Sequence, residues 1–329
     1  MKAAIITRPG GPEVLEIQDR PTPAPAAGQI LVRVHASALN RADLHQREGN
    51  YPAPPGYPAD IPGLEFAGEV AALGTGVSEW REGDRVFGII GGGANAQYVV
   101  ADAGAVARIP DALSWTEAAA IPEAFITAYD AMVTQAGLRG GETVLIHAVG
   151  SGVGLAAVQL ARAWNAIPYG TARTADKIDR ARVLGLADGV VLAEDPDAML
   201  SPLKEWTAGR GIDVTLDLLG GPYVGASVRA AASRGRIVLI GTIAGRNASV
   251  PVGMILGKRL TLRGTVLRAR SSEEKRAVTA AFARDVVPLF ATAGLRPNVD
   301  RVYALQDIRA AHERLASNAT FGKVIVSAS

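Results

Sequence analysis

No cysteine occurs in the chain, so disulfides, thiolate nucleophiles and thiolate-held metals are all excluded. A cytoplasmic location is the corresponding expectation. Charge of one sign is also missing as an excess: 34 basic and 32 acidic residues are interspersed to a formal net charge of +2. Without a polybasic block, neither a nucleic acid nor an anionic membrane surface is expected as a partner. No apolar run approaches the ~20 residues that span a bilayer. The N-terminal Met1-Lys2-Ala3-Ala4-Ile5-Ile6 enters a strand-like segment, without the apolar stretch and small-residue cleavage site of a signal peptide. Histidine is scarce. His35, His45, His147 and His312 are scattered without ligand spacing, and each is expected to be structural or at the surface.

What is present is an ordinary globular composition, 48% apolar and 20% charged over 329 residues. That length exceeds what one hydrophobic core serves and predicts two domains. Residues 1–122 are short β-branched runs broken by Gly and Pro, such as Ile30 to Val34, Gly68 to Leu73 and Arg85 to Ile90, which predict a β-rich domain. Within it the polar, Pro-rich stretch Ala42 to Pro62 lacks helical periodicity and predicts an ordered functional loop.

From about Ala119 strand-like runs alternate with helical spacers: Thr143 to His147, Ile167 to Thr171, Gly189 to Leu192, Val214 to Leu218, Arg236 to Ile240 and Leu260 to Val266. Six such strands over 123–266 fill a doubly wound parallel sheet. The tail, 267–329, holds a helical stretch from Ser272 to Thr292, a strand from Val299 to Tyr303, a helix from Ile308 to Ser317 and a terminal run from Lys323 to Ser327. It exceeds what the dinucleotide fold needs, and is expected to return to the first domain.

The strongest local signal is Thr143-Val144-Leu145-Ile146-His147-Ala148-Val149-Gly150-Ser151-Gly152-Val153-Gly154, followed by the helical Leu155 to Trp164. This is a strand, a glycine turn and a helix. Glycines let the backbone approach a pyrophosphate without a Cβ clash, and the helix offers free N–H groups and its positive dipole end. The spacing departs from Gly-x-Gly-x-x-Gly, since one register puts Leu155 at the third glycine and another puts Val149 first and Ser151 second. At the end of the second strand an acid would select NAD and an Arg would accept the extra phosphate of NADP. The sequence there is Gly170-Thr171-Ala172-Arg173-Thr174-Ala175-Asp176-Lys177, with no acid at the strand end. Arg173, Thr174 and Lys177 suit a phosphate, so NADPH is the expected cofactor. The plainer alternative places Arg173 and Lys177 on a solvated helix face.

Asn40-Arg41-Ala42-Asp43-Leu44, Gly63-Leu64-Glu65-Phe66-Ala67-Gly68, Gly83-Asp84-Arg85-Val86, Gly91 to Tyr98, Ala118 to Ala124 and the glycine loop together resemble the medium-chain dehydrogenase/reductase superfamily, in its zinc-independent quinone oxidoreductase (zeta-crystallin-like) branch. The resemblance spans essentially the whole chain. Gln46 to Tyr51, Ala119 to Ala124 and Ser151 to Gly154 are similar to the tumour-suppressor-induced quinone oxidoreductases of that branch. It implies an α/β fold class, a Rossmann doubly wound parallel sheet inserted into a GroES-like β-barrel catalytic domain, and a homodimer. In the zinc-dependent members a His in Gly-His-Glu and two Cys hold the metal. Here Gly63-Leu64-Glu65 and the absence of Cys leave no such ligands, and no metal is expected.

The resemblance further implies a metal-free hydride transfer from NADPH to a quinone. It puts Asn40 and Tyr51 at the reacting centre, as hydrogen-bond donors to substrate oxygen or cofactor ribose, with Tyr51 also able to deliver a proton. Thr127 is expected beside the nicotinamide, and Gly150, Ser151, Gly152, Val153 and Gly154 on the phosphates or ribose. Ile240, Gly241, Leu267 and Lys323 are expected where the family closes over the cofactor. Some members carry a Tyr near the adenosine phosphate where Leu192 stands here. Two alternatives stay open: an NADPH-dependent enoyl or alkenal double-bond reductase, taking an enone, and a non-catalytic NADPH- or RNA-binding crystallin-like protein. The near-neutral charge argues against the RNA role.

Overall fold

The computed structural model describes residues 1–192 and 195–328. The chain divides into two compact units, one formed by Met1–Ile126 with Leu267–Ser329 and the other by Thr127–Val266.

In the discontinuous unit a sheet runs, neighbour by neighbour, through Val299–Ala304, Lys323–Ser327, Gln29–Leu39, Glu65–Leu73, Arg85–Ile89 and Val106–Arg108, with Tyr98–Asp102 also paired to Gln29–Leu39. Alternation builds its core. Along Gln29–Leu39 the even positions Ile30, Val32, Val34, Ala36 and Ala38 are buried, the period of two that a strand imposes. Ile30, Val32 and Val34 pack with Phe66, Val70, Val86 and Val99. The tail closes this sheet: Lys323–Ser327 lies antiparallel to Gln29–Leu39, with Val324 opposite Leu39 and Ser327 opposite Ala36. The ends of the chain therefore share one hydrophobic unit.

The continuous unit is a six-stranded, all-parallel sheet in the order Asp188–Val191, Ile167–Ala172, Thr143–Ile146, Ile212–Asp217, Ala231–Leu239, Thr261–Gly264. Numbered along this unit the order is 3-2-1-4-5-6, that of a doubly wound dinucleotide fold. Every residue of the central Thr143–Ile146 is buried, as a parallel strand covered on both faces requires.

The structure departs from the sequence expectations at three places. The division falls after Ile126 rather than after residue 122, because Pro122–Ile126 packs within the first unit, where Phe125 meets Phe290 at 5.1 Å between ring centroids. The stretch Ala42 to Pro62 is not all loop: Arg41–Arg47 is a helix. It is too short to show a period, but Asn40 and Asp43 have capping-box spacing. The helical tail stops at Asp285 and resumes as Leu289–Thr292. Pro288, which has no N–H to continue a helix, lies in the break.

Candidate active site

In the discontinuous unit a chain of buried polar side chains grows from the edges of three strands. Asn40 follows Gln29–Leu39 and opens the helix Arg41–Arg47; its N–H donates to Asp43 Oδ2 at 2.7 Å. Asp43 Oδ1 accepts the Gly63 N–H at 2.8 Å. Gly63 has φ +108°, and a Cβ there would stand 2.5 Å from Asn95 N, so only glycine fits this approach.

Lys323 and Glu65 each begin a strand. Lys323, 6% exposed, donates through Nζ to Leu39 O at 3.0 Å, Asn40 Oδ1 at 2.6 Å and Glu65 Oε1 at 2.6 Å. All three of its protons are thereby placed. Glu65, 0% exposed, also accepts Asn40 Nδ2 at 2.9 Å, and its Oε2 accepts the Glu123 N–H at 2.7 Å. The remaining Asn40 amide proton faces Ala38 O at 3.3 Å. Asn40 was expected to donate to substrate or ribose, but both its amide protons are engaged with protein acceptors. Lys323, expected over the cofactor, gives its ammonium to its own unit. Both side chains are tied to each other and to Glu65 within this unit.

Burial pushes Asp43 up to about 6, against the pull of the Asn40 and Gly63 N–H groups and of Lys323 and Arg268. Burial, reinforced by the charge of Glu65, pushes Glu123 up to about 7. Three acids crowded in low dielectric resist simultaneous ionisation.

Tyr51 is held by a residue that the sequence did not single out. Arg268, 4% exposed, donates to Gly91 O at 2.9 Å, Tyr51 O at 3.2 Å and Gln46 Oε1 at 2.6 Å. Its guanidinium stands 4.6 Å from the Tyr51 ring centroid, a cation–π distance. Its neighbour Leu267 is a core residue at 5% exposure. Lys275, also buried, reaches the Tyr57 ring at 5.4 Å, and burial lowers its pKa, with Arg268 adding to the effect.

The continuous unit carries a second site where the sheet order reverses, at the carboxyl end of Thr143–Ile146, the place where doubly wound sheets bind ligands. The chain turns through Ala148, at φ 50°, into the helix Gly152–Ala163. Ser151 caps it, Oγ accepting the Gly154 N–H at 3.0 Å. The first N–H groups of a helix have no partner within it, so Gly152 and Val153 remain to offer theirs to an anion. Gly154 has no room for a side chain, since a Cβ would lie 2.6 Å from Ala148 O. A Cβ on Gly150 would stand 2.8 Å from Lys177 Cδ, so the Lys177 side chain lies against the glycine turn.

Arg173 and Thr174 follow the strand Ile167–Ala172 and are exposed; the Thr174 hydroxyl makes no capping bond. Asp176 is turned to Arg180, 3.7 Å away. Gly241 approaches Leu218, where a Cβ would be 2.4 Å from the carbonyl oxygen, and the Ile240 N–H is used by Asp217 O. Leu192 is core, packed with Leu145 and Met199. Thr127 Oγ1 is buried with no hydrogen-bond partner. A dinucleotide accounts for that orphan hydroxyl, the two outward N–H groups and the crowded glycines, so these residues fit the cofactor.

The histidines are engaged in contacts of their own or exposed. His35 stacks on Trp115 at 4.2 Å, and His45 is on the helix Arg41–Arg47. Buried His147 contacts Thr171 Oγ1 at 2.9 Å and Ser227 Oγ at 3.0 Å. Burial, with Arg47 beside it, pushes His312 down to about 3. Among the described residues no group of His, Asp or Glu is placed to hold a metal ion, and Leu64 is a core residue at 2% exposure. No helix of the described residues is long and apolar enough to cross a membrane.

Residues 26–111 match the family described as alcohol dehydrogenase GroES-like domain, and residues 152–284 the family described as zinc-binding dehydrogenase. The chain is 32% identical to the quinone oxidoreductase of Lama guanicoe, over 99% of this chain and 97% of that protein. The crystal structure of Escherichia coli quinone oxidoreductase complexed with NADPH superposes with a TM-score of 0.88 at 29% identity, covering 99% of this chain and 100% of that one. That of an NAD-dependent alcohol dehydrogenase gives a TM-score of 0.87 at 30% identity, covering 100% of both chains.

Proposed function

Because the chain belongs to the zinc-independent quinone oxidoreductase branch of the medium-chain dehydrogenase/reductase superfamily, we propose that it is an NADPH-dependent quinone reductase. The observation that carries this reading is the strand end at Arg173. It presents Arg173 and Thr174 outward, with Lys177 against the glycine turn and the nearby acid Asp176 facing Arg180. This is an environment for the phosphate that distinguishes NADPH from NADH.

When bound, the reduced nicotinamide supplies a hydride to the substrate. The chain's own part is to hold and to stabilise. Gly150 and Gly154 clear the approach, the Gly152 and Val153 N–H groups and Ser151 take the pyrophosphate, and the Thr127 hydroxyl gains a partner. Ile240 and Gly241 complete the cofactor wall in the continuous unit. In the discontinuous unit Tyr51, fixed by Arg268 through ring and carbonyl, is the group offered to substrate oxygen. The Asn40–Lys323–Glu65 network keeps the surrounding backbone rigid. A quinone needs no metal to accept hydride, only proximity and a stabilised oxyanion.

The test follows loss of reduced-nicotinamide absorbance with NADPH or NADH and a panel of small quinones plus an α,β-unsaturated ketone. NADPH-selective turnover of quinones is expected. Turnover of the enone alone would replace this reading with a double-bond reductase, and silence toward both despite tight NADPH binding would replace it with a non-catalytic role.

The homodimer is proposed on the exposed edge of the parallel sheet. Among the described residues Thr261–Gly264 is paired on one side only, and the helix Val252–Lys258 before it buries none of its residues. Leu256 is 74% exposed, Val252 59% and Val266 51%. An unpaired strand edge flanked by exposed apolar side chains suits a second copy of the same edge. Light scattering is expected to give twice the monomer mass for the wild type and the monomer mass for Leu256→Glu/Val252→Asp. A monomeric wild type would overturn the dimer.

A further inference from the structure

We infer that the Glu123 carboxyl is the proton store of the catalytic unit, protonated at rest and yielding the proton that ends on the reduced substrate's oxygen. This rests on the quinone reduction proposed above. Of the three acids in the network, two have both oxygens satisfied. Asp43 accepts from the Asn40 and Gly63 N–H groups, and Glu65 from Lys323, Asn40 and the Glu123 N–H. Glu123 differs. Its backbone is tied to Glu65, but its Oε2 is buried without any hydrogen-bond partner. A carboxylate oxygen removed from water and from donors favours the neutral form, and burial beside Glu65 pushes Glu123 up to about 7.

The groups facing it supply the other half of the device. Glu65 and Asp43 oppose its ionisation, whereas Lys323, Arg268 and Lys275 favour it. The acids hold the proton on at rest, and the three cations stabilise the carboxylate once it has left. The balance is simple. The reduced nicotinamide supplies one hydride, which carries both electrons, and the substrate oxygen is left anionic. The Glu123 O–H bond breaks, an O–H bond forms on that oxygen, and solvent returns one proton to the carboxylate. The net uptake is one proton per hydroquinone.

Glu123→Gln tests this without breaking a hydrogen bond at Oε2, which has no partner among the described residues. In the protein without substrate, infrared difference spectra are expected to show a protonated-carboxyl band that titrates out near pH 7 and is missing in Glu123→Gln. Glu123→Asp should restore a titrating band. A raised carboxyl pKa stabilises the fold below the unfolded value and loses that contribution as pH rises through the folded one. The thermal midpoint of the wild type relative to Glu123→Gln should therefore fall between pH 4.5 and about 7. With a quinone, kcat should drop about 10²-fold in Glu123→Gln, and its decline above pH 7 should disappear. Absence of the band, or an unchanged pH profile in an active Glu123→Gln, would overturn the role of Glu123. A wild type that shows the band but reduces no quinone would overturn the quinone reading and leave the protonation of Glu123 supported.

Discussion

Replacing Arg173 and Lys177 together with Ala is expected to weaken NADPH binding by about 10²–10³-fold while NADH changes by less than about threefold. A charge-assisted hydrogen bond contributes roughly 1.5–3 kcal/mol. Arg173 is exposed and Lys177 half-buried, so solvent screening trims each contribution. A joint loss of about 3–4 kcal/mol remains, which is the stated factor in affinity. NADH offers no phosphate at this position, so nothing it binds is removed. Thr174→Ala, losing one neutral donor, should cost less than about tenfold. The measurement is a pair of titrations with the two nucleotides on the same variant. Equal losses would show that the two cations act on the fold or on the shared pyrophosphate, and would remove the basis for preferring NADPH.

The glycine turn was legible in the sequence because its parts are local. The glycine turn, the strand before it and the helix after it lie within Thr143 to Trp164, and the phosphate residues follow the next strand. Periodicity exposed the sheet as well, since buried parallel strands read as short apolar runs. The six runs from Thr143 to Val266 all became strands, shifted at their ends by a few residues.

The polar network was not legible in the same way. Asn40 and Lys323 meet only because Lys323–Ser327 pairs with Gln29–Leu39 in a particular register, and 283 positions separate them. Arg268 is one of several arginines near the end of the inserted unit, and no spacing marks it from Arg263 or Arg270. Its contacts with Gln46, Tyr51 and Gly91 follow from where the chain re-enters the first unit. Glu123 was visible as part of a family motif. Its chemistry depends on Glu65 and on what fails to reach its Oε2, which a linear pattern does not contain.

The same register makes Lys323 the residue whose loss should cost most. Lys323→Met leaves the Glu65 carboxylate buried, with Asn40 and the Glu123 N–H but no cation, and with Glu123 and Asp43 nearby. Breaking a buried pair from one side costs roughly 3–5 kcal/mol, because the remaining charge is uncompensated, whereas replacing both partners is often close to neutral. Glu65→Gln alone should cost less, about 1–3 kcal/mol, since Lys323 keeps Leu39 O and Asn40 Oδ1 as acceptors. The two changes are then expected to be non-additive in an unusual direction: Lys323→Met/Glu65→Gln should be more stable than Lys323→Met. Hydrogen exchange of the paired strands Gln29–Leu39 and Lys323–Ser327 reads the effect in the unit concerned, separately from the cofactor sheet. If the double variant loses the sum of the two single losses, Lys323 and Glu65 contribute independently. The network would then owe its order to packing of the strand pair and not to the ion pair at its edge.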